Sequence, residues 1–354
     1  MPRQMKYSEA ILEATDQVMA LDPSVYLMGL GVPDPKGIFG TTIGLLDKYG
    51  PSRVMDMPTS ENAMTGIAIG TAIQGMRPIM THQRVDFFIL ALDQLINNAA
   101  KWHYMFGGQM NVPMVIRLII GRGWGQGPQH SQSLHSMFAH VPGLKVVRPS
   151  TPHDAKGLLI SAVEDNNPVI YLEHRWLHNI FGEVPQEIYR EPLGKAKILK
   201  EGKDVTIVAA SHMTLEAFRA MQWLEEEGVS IELIDLRSVR PLDKETILNS
   251  VRKTGHLIVA DPDWKSVGCA AEIITFVAEE ALSSLKSPPV RITYPDRLTP
   301  TSWALAKHFY PTAKHIAAAV LHLVQKSMRA KDFLSELIAH EPMDVPDPQF
   351  TGPF

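Results

Sequence analysis

Cysteine is almost missing from this chain. Cys269 is the one cysteine in 354 residues, which excludes an internal disulfide framework and fits a reducing compartment. It lies in Val-Gly-Cys-Ala-Ala, a helix start, and reads as a small core residue rather than a nucleophile. No uninterrupted apolar run approaches the roughly 18 residues of a membrane span. Neither sign of charge dominates: the formal net charge is −4, with acids and bases mixed along the chain. That leaves no basic field for nucleic acid or for anionic lipid. No glycine-rich phosphate loop follows a strand, which argues against a flavodoxin-like nucleotide binder. Short repeats and low-complexity tracts are absent too. The N-terminus lacks the apolar core of a signal peptide, and Glu9, Glu13 and Asp16 disfavour a transit peptide. The expectation is a cytoplasmic protein, with a processed chain of the mitochondrial matrix as the alternative.

What is present is ordinary globular composition, 45% hydrophobic and 20% charged, over a length sufficient for two domains with full cores. Ser8 to Ala20 has the apolar spacing of an amphipathic helix. Strands are expected at Val25–Leu30, Val54–Met57, Pro78–Thr81, Val112–Ile120, Leu144–Val147 and Val169–Glu173. Helices alternate with them, one spanning Phe87 to Phe106 and one His153 to Glu164, capped by Thr151 or its neighbours. Such alternation predicts a parallel, doubly wound α/β sheet. The stretch Trp176 to Lys203 turns irregular. A second alternating unit follows, from Val205 to about Arg329. The expected organisation is therefore a domain over 1–185, a linker over 186–203, a second domain over 204–330 and a tail over 331–354. Four prolines between Pro342 and Phe354 read as an extended arm.

Within this frame Thr59-Ser60-Glu61 stands out. Arg53 to Met57 ends as a buried strand, Pro58 to Ser60 break it, and a helix runs to about Gly75. Glu61 then sits at a strand's carboxyl end and a helix's first turn, where parallel sheets place ligands and the helix dipole favours a carboxylate. Gly66 and Gly70 share one face, open to another backbone or a flat ligand. An acidic first-turn residue on a glycine-packed core helix explains the same residues without a ligand.

Ser60-Glu61, Gly66-Ile-Ala-Ile-Gly70 and Gly75-Met-Arg-Pro78 are followed by Ala91-Leu-Asp-Gln94-Leu-Ile-Asn97, Gln129-His130-Ser131-Gln132 and Pro142-Gly-Leu-Lys-Val-Val147. Asp154-Ala-Lys-Gly-Leu158, Asp165-Asn-Asn-Pro168 and Asp235-Leu-Arg237…Pro241-Leu-Asp243 continue the series. In order and spacing, over roughly residues 5 to 325, the chain resembles the beta subunits of thiamine-diphosphate-dependent 2-oxo acid dehydrogenases. The resemblance implies an α/β fold of two doubly wound domains, one binding the cofactor's pyrimidine and one of the transketolase C-terminal type.

It also implies roles. In that family a glutamate at the Glu61 position hydrogen-bonds the aminopyrimidine ring and sets up deprotonation of the thiazolium carbon. Burial suits a carboxyl to this task, since it raises the pKa. Phe87 matches the aromatic residue stacked on the pyrimidine, and Gln83 falls among the cofactor-binding positions. His130 matches a histidine that meets the 2-oxo acid, and the glycines before it shape an exposed loop. A metal site made of His130, His135 and His140 fits no trusted zinc spacing. Ala162, Asp165 and Asn167 resemble a loop holding a monovalent cation, usually potassium; a helix-ending turn before Pro168 fits nearly as well.

Two departures stand against the family pattern. Leu30-Gly31 replaces acids after the first strand, which puts a proton relay between active sites in doubt. His82 and Arg84 replace apolar or small residues near the pyrimidine pocket. The Gly-Asp-Gly…Asn motif that binds diphosphate and Mg2+ is absent; in the family it belongs to the alpha subunit. The resemblance therefore implies an oxidoreductase active as an α2β2 heterotetramer. It would decarboxylate a 2-oxo acid and pass the acyl group to a lipoyl acyltransferase core. An acyloin-forming or acetoin-cleaving relative is the alternative, and a non-catalytic partner-binding scaffold is the third reading. Intact Glu61 and His130 argue against the scaffold.

Overall fold

Fourteen strands fall within the described residues, 3–121 and 125–336, of a computed structural model of the chain. In chain order they are β1 (Gln4–Lys6), β2 (Val25–Met28), β3 (Val54–Met55), β4 (Arg77–His82), β5 (Val115–Ile120), β6 (Lys145–Val147), β7 (Val169–His174) and β8 (Phe181–Glu183). Then come β9 (Lys197–Lys200), β10 (Val205–Ala209), β11 (Ile231–Asp235), β12 (Ser238–Arg240), β13 (Leu257–Trp264) and β14 (Val290–Tyr294). The described chain divides into a first unit, 3–121 with 129–193, and a second, 125–128 with 194–336.

In the first unit parallel strands lie in the order β6-β7-β5-β4-β2-β3. The central strand β5, Val-Ile-Arg-Leu-Ile-Ile, is buried along its whole length, as expected where helices cover both faces of a parallel sheet. Its register is fixed by more than apolar burial. Arg117 is fully buried and its Nε donates to Glu173 Oε1 of β7 at 2.8 Å. A one-residue slip would turn Arg117 to the opposite face and leave a buried charge unpaired. The helix Tyr7–Leu21 and the helix Pro152–Glu164 pack together on one face, with Tyr7, Ile11, Ala14 and Val18 against Leu158, Leu159 and Val163 in one core. Thr151 caps the second helix, its Oγ1 accepting from Asp154 N.

In the second unit the order is β14-β13-β10-β11-β9, parallel except for β9, which runs antiparallel to β11. The helices His212–Glu226 and Ala313–Leu323 share its apolar core. Asp243 caps the helix Lys244–Thr254 through Thr246 N, and Gly255 ends it with φ of 80°.

Three differences from the sequence reading have local causes. The irregular stretch from Trp176 contains two short strands, because β8 pairs with the distant β1 and β9 with β11; neither partner can be read locally. The long helix from Phe87 is broken: Val85–Phe88 is α, Ile89–Ala91 is 3-10, Gln94–Ala99 is π and Ala100–Met105 is α again. The continuous apolar spacing of Phe88, Ala91, Leu95 and Ala99, all buried, conceals those changes of winding. A short helix, His135–Ala139, lies where no element was expected. The proline-rich arm from Pro342 lies outside the described residues, as do residues 122–124 of the Gly121–Gln132 loop.

Candidate cofactor and substrate site

The chain leaves β2 for the edge strand β3, then returns to β4 on the other side of β2. The strand order therefore reverses between β2 and β4, and in open α/β sheets ligands bind outside the carboxyl ends at such a point. Here the two strand ends close tightly. A Cβ on Gly29, just after β2, would lie 2.2 Å from Thr81 O of β4, so only glycine fits. Gln83 Nε2 then donates to Leu30 O at 3.2 Å, tying the loop after β4 to the loop after β2. The Leu30-Gly31 departure thus sits at the switch point, with Gly31 N donating to Asp56 Oδ1.

Glu61 begins the helix Glu61–Ile73, which follows β3, and its side chain is buried, with 7% of the residue exposed. The side chain of Ser60 makes no cap hydrogen bond. Along the same helix a Cβ on Gly66 would touch Gln94 Oε1 at 3.6 Å, whereas Gly70 meets nothing within 4 Å. The two glycines therefore differ: Gly66 faces the π-wound helix, and Gly70 faces open space beside the exposed Ile67.

Phe87 and His130, separated by 43 positions in sequence, meet edge to face with ring centroids 5.3 Å apart. Phe87 is 40% exposed, so its ring remains available to a ligand. Three contacts hold the loop that carries His130. Gln132 Nε2 donates to Asp86 Oδ1 at 2.8 Å. Gly121 N donates to Gln132 O at 3.1 Å. Arg84 Nη1 donates to Gly121 O, also at 3.1 Å. Gly121 has φ of 89°, and a Cβ there would lie 2.0 Å from His174 Nε2, so the loop can leave β5 only through glycine. Burial pushes the Asp86 carboxyl up, against the pull of Gln132 and Arg84.

The departures at His82 and Arg84 now have structural roles. His82 is buried against Phe88, with ring centroids 4.9 Å apart, and burial lowers its pKa to about 3. It is a neutral core residue at working pH. Arg84 pins the start of the loop. Asp86 was not singled out in the sequence; its one signal there is that it adjoins Phe87 at a helix start. His130, His135 and His140 do not converge on a metal: no ligand group among the described residues contains two of them.

The Ala162, Asp165 and Asn167 loop lies elsewhere, at the amino end of the sheet where β4 begins. Arg77 Nη1 donates to Val163 O at 2.8 Å and Asp165 O at 3.0 Å, and its Nη2 to Asn166 Oδ1 at 2.8 Å. Lys145 Nζ binds Asp165 Oδ2, and Asn167 N donates to Asp165 Oδ1 at 2.8 Å. The loop is thus a turn closed by the Asp165 side chain and held by two cationic side chains.

Comparison with known proteins agrees with this architecture. The transketolase pyrimidine-binding domain matches residues 3–179 and the transketolase C-terminal domain residues 194–316. The acetoin:2,6-dichlorophenolindophenol oxidoreductase subunit beta of Cupriavidus necator is 44% identical, with 90% of this chain and 97% of that protein covered. The mitochondrial pyruvate dehydrogenase E1 component subunit beta-2 of Oryza sativa is 44% identical, covering 90% and 85%. The pyruvate dehydrogenase E1 component subunit beta of Acholeplasma laidlawii is 43% identical, covering 90% and 97%. A solved split-gene transketolase, an inactive beta4 tetramer, shares the fold with a TM-score of 0.74 at 24% identity, covering 92% of this chain and 99% of its own. With both transketolase domains in order and relatives above 40% identity along almost the whole chain, this protein belongs to the transketolase-like family of thiamine-diphosphate-dependent 2-oxo acid dehydrogenase beta subunits.

Proposed function

We propose that this chain is the beta subunit of a thiamine-diphosphate-dependent enzyme that decarboxylates a 2-oxo acid and works only with an alpha subunit, in an α2β2 assembly. The observation that carries this reading is that a buried carboxyl at a helix start, Glu61, and the Phe87–His130 ring pair all follow the carboxyl ends of strands of one sheet. These residues fit one end of the cofactor. Glu61 can hold a proton at a ring nitrogen, Phe87 and Gln83 can flank the aminopyrimidine, and His130 can stabilise charge that develops on the substrate side. When bound, the cofactor supplies the carbanion chemistry, and the protein orients and tunes it. The sequence has no motif for the other end, where a diphosphate with Mg2+ is held, so an alpha subunit supplies that half.

The acyl acceptor divides two readings. Transfer to a lipoyl group on an acyltransferase core matches the relatives named pyruvate dehydrogenase. Cleavage of acetoin matches the relatives named acetoin oxidoreductase, at the same identity. The monovalent cation reading of Ala162, Asp165 and Asn167 is kept as a structural role. Such an ion would sit beside Arg77, whose Nη1 already donates to Val163 O and Asp165 O.

The test is to purify the chain alone and together with an alpha chain that carries the Gly-Asp-Gly…Asn motif. Cofactor binding with Mg2+ and dye reduction with pyruvate or acetoin are then measured. The expected result is no tight binding and no turnover for the chain alone, and both for the pair. Turnover by the isolated chain would overturn the proposal. Dye reduction with acetoin but not pyruvate would select the second reading.

A further inference from the structure

The strand that leads to Glu61 is short. β3, Val54–Met55, lies at the sheet edge and pairs with β2. Leu27 N donates to Arg53 O at 2.8 Å, and Gly29 N to Met55 O at 3.3 Å. Rungs of a parallel ladder are evenly spaced, so the next would run from Gly31 N to Met57 O. Instead Gly31 N donates to the Asp56 side chain, at Oδ1, across 2.9 Å. A carboxylate oxygen stands in for a backbone carbonyl.

The same oxygen turns the chain out of the sheet. Asp56 Oδ1 also accepts from Met57 N at 2.9 Å, so the backbone leaves the ladder at this point. Met57 is buried, Pro58 brings no donor, and Ser60 N donates to Pro58 O at 2.7 Å. The helix Glu61–Ile73 then begins, and the Ser60 side chain makes no cap hydrogen bond to it.

Gly31 is shaped for its half of the contact. Its φ is 75°, and a Cβ there would lie 2.9 Å from Gln83 Nε2 and 3.1 Å from Asp34 Oδ2. Any side chain at this position would be strained and crowded. Gln83 in turn donates to Leu30 O. The carboxyl ends of β4, β2 and β3 are thus fastened in series, first through Gln83 and then through Asp56.

We propose that Asp56 is a positioning residue for the reaction. By closing the last rung between β2 and β3, it fixes where the helix of Glu61 begins and so where the Glu61 carboxyl stands. Asp56 acts through Glu61 and its amide partners, not by touching the cofactor. The proposal rests on the cofactor role of Glu61.

The test compares Asp56→Ala and Asp56→Asn with the unaltered chain. Asp56 is exposed, so both variants should fold, which circular dichroism checks. Hydrogen–deuterium exchange on the isolated chain reads the Gly31 and Met57 amides. Both should exchange faster by about tenfold or more in Asp56→Ala. They should stay near the wild-type rate in Asp56→Asn, whose amide oxygen still accepts. In the assembly with an alpha chain, Asp56→Ala should lower kcat by about tenfold or more, with KM and cofactor affinity within about threefold. Asp56→Asn should recover most of kcat. Unchanged amide exchange or unchanged kcat in Asp56→Ala would overturn the proposal, as would an asparagine variant as poor as the alanine one. Glu61→Ala, run in parallel, separates the causes. Turnover retained there takes down the cofactor reading and this proposal with it. Turnover lost there, with Asp56→Ala unimpaired, takes down the positioning alone.

Discussion

Gln132 donates to Asp86 across 2.8 Å, and this bond ties together the two segments that carry the site's two rings. Phe87 follows Asp86 directly, and His130 lies two residues before Gln132. The bond therefore sets the distance between those rings without touching a ligand itself. Asp86→Ala in the assembled enzyme should lower kcat by about tenfold to a hundredfold, the worth of one charge-assisted hydrogen bond. Cofactor affinity should change little. Asp86→Asn keeps an acceptor oxygen and should recover most of the activity. Steady-state kinetics of both variants check this, and an asparagine variant as poor as the alanine one would refute positioning by that bond.

Glu61→Ala should abolish cofactor-dependent decarboxylation in the assembled enzyme while leaving the fold intact, because Glu61 is the first residue of its helix, where alanine is tolerated. His130→Ala should lose turnover and keep most cofactor affinity. Turnover and calorimetric cofactor binding, measured on both variants, separate the two roles. Near-wild-type turnover by Glu61→Ala would remove it from the mechanism.

Arg77 satisfies three oxygens of the Asp165 turn. Arg77→Ala should destabilise the chain by about 1–3 kcal/mol, the usual cost of hydrogen bonds to a charged group. If a monovalent cation also sits at this turn, replacing potassium by choline should lower Tm, and more so in the variant than in the wild type. Thermal melts in the two salts at equal ionic strength measure both effects. Identical melts in both salts for both proteins would leave the turn to Arg77 and Lys145 alone.

Stability should fall on mild acidification. Burial holds His82 at about 3 and, despite Glu173, His178 at about 4, against 6.5 when exposed. Between those values the unfolded chain binds protons that the folded chain does not. Stability is thus full above about pH 6.5 and is lost as pH drops, by up to about 1.4 kcal/mol per pH unit for each histidine. Glu173 adds to the loss at lower pH: burial raises its pKa, but Arg117 and His178 outweigh burial and hold it at about 2, against 4.5 when exposed. Urea midpoints at pH 7.5, 6.5 and 5.5 read the slope, and His82→Leu should make it shallower. An unchanged slope in that variant would show that His82 is not buried neutral.

The sequence by itself determined the alternation of strands and helices, the two-domain α/β class and the family. Those rest on local periodicity and on ordered motifs, which need no knowledge of distant contacts. It also marked Glu61 and His130, because a strand–break–helix pattern and a glycine-shaped loop are local signals. Only the tertiary structure decided what depends on partners far apart in the chain. It showed β8 pairing with β1, and it brought Phe87 to His130 through Asp86 and Gln132. It turned His82 from a substrate-side suspect into a neutral neighbour of Phe88. It also set Arg77 on the Asp165 turn, 88 positions away. A hydrogen bond or a desolvated ring is fixed by which surfaces meet, and that is settled by packing the sheet and its helices, not by any one segment's own preference.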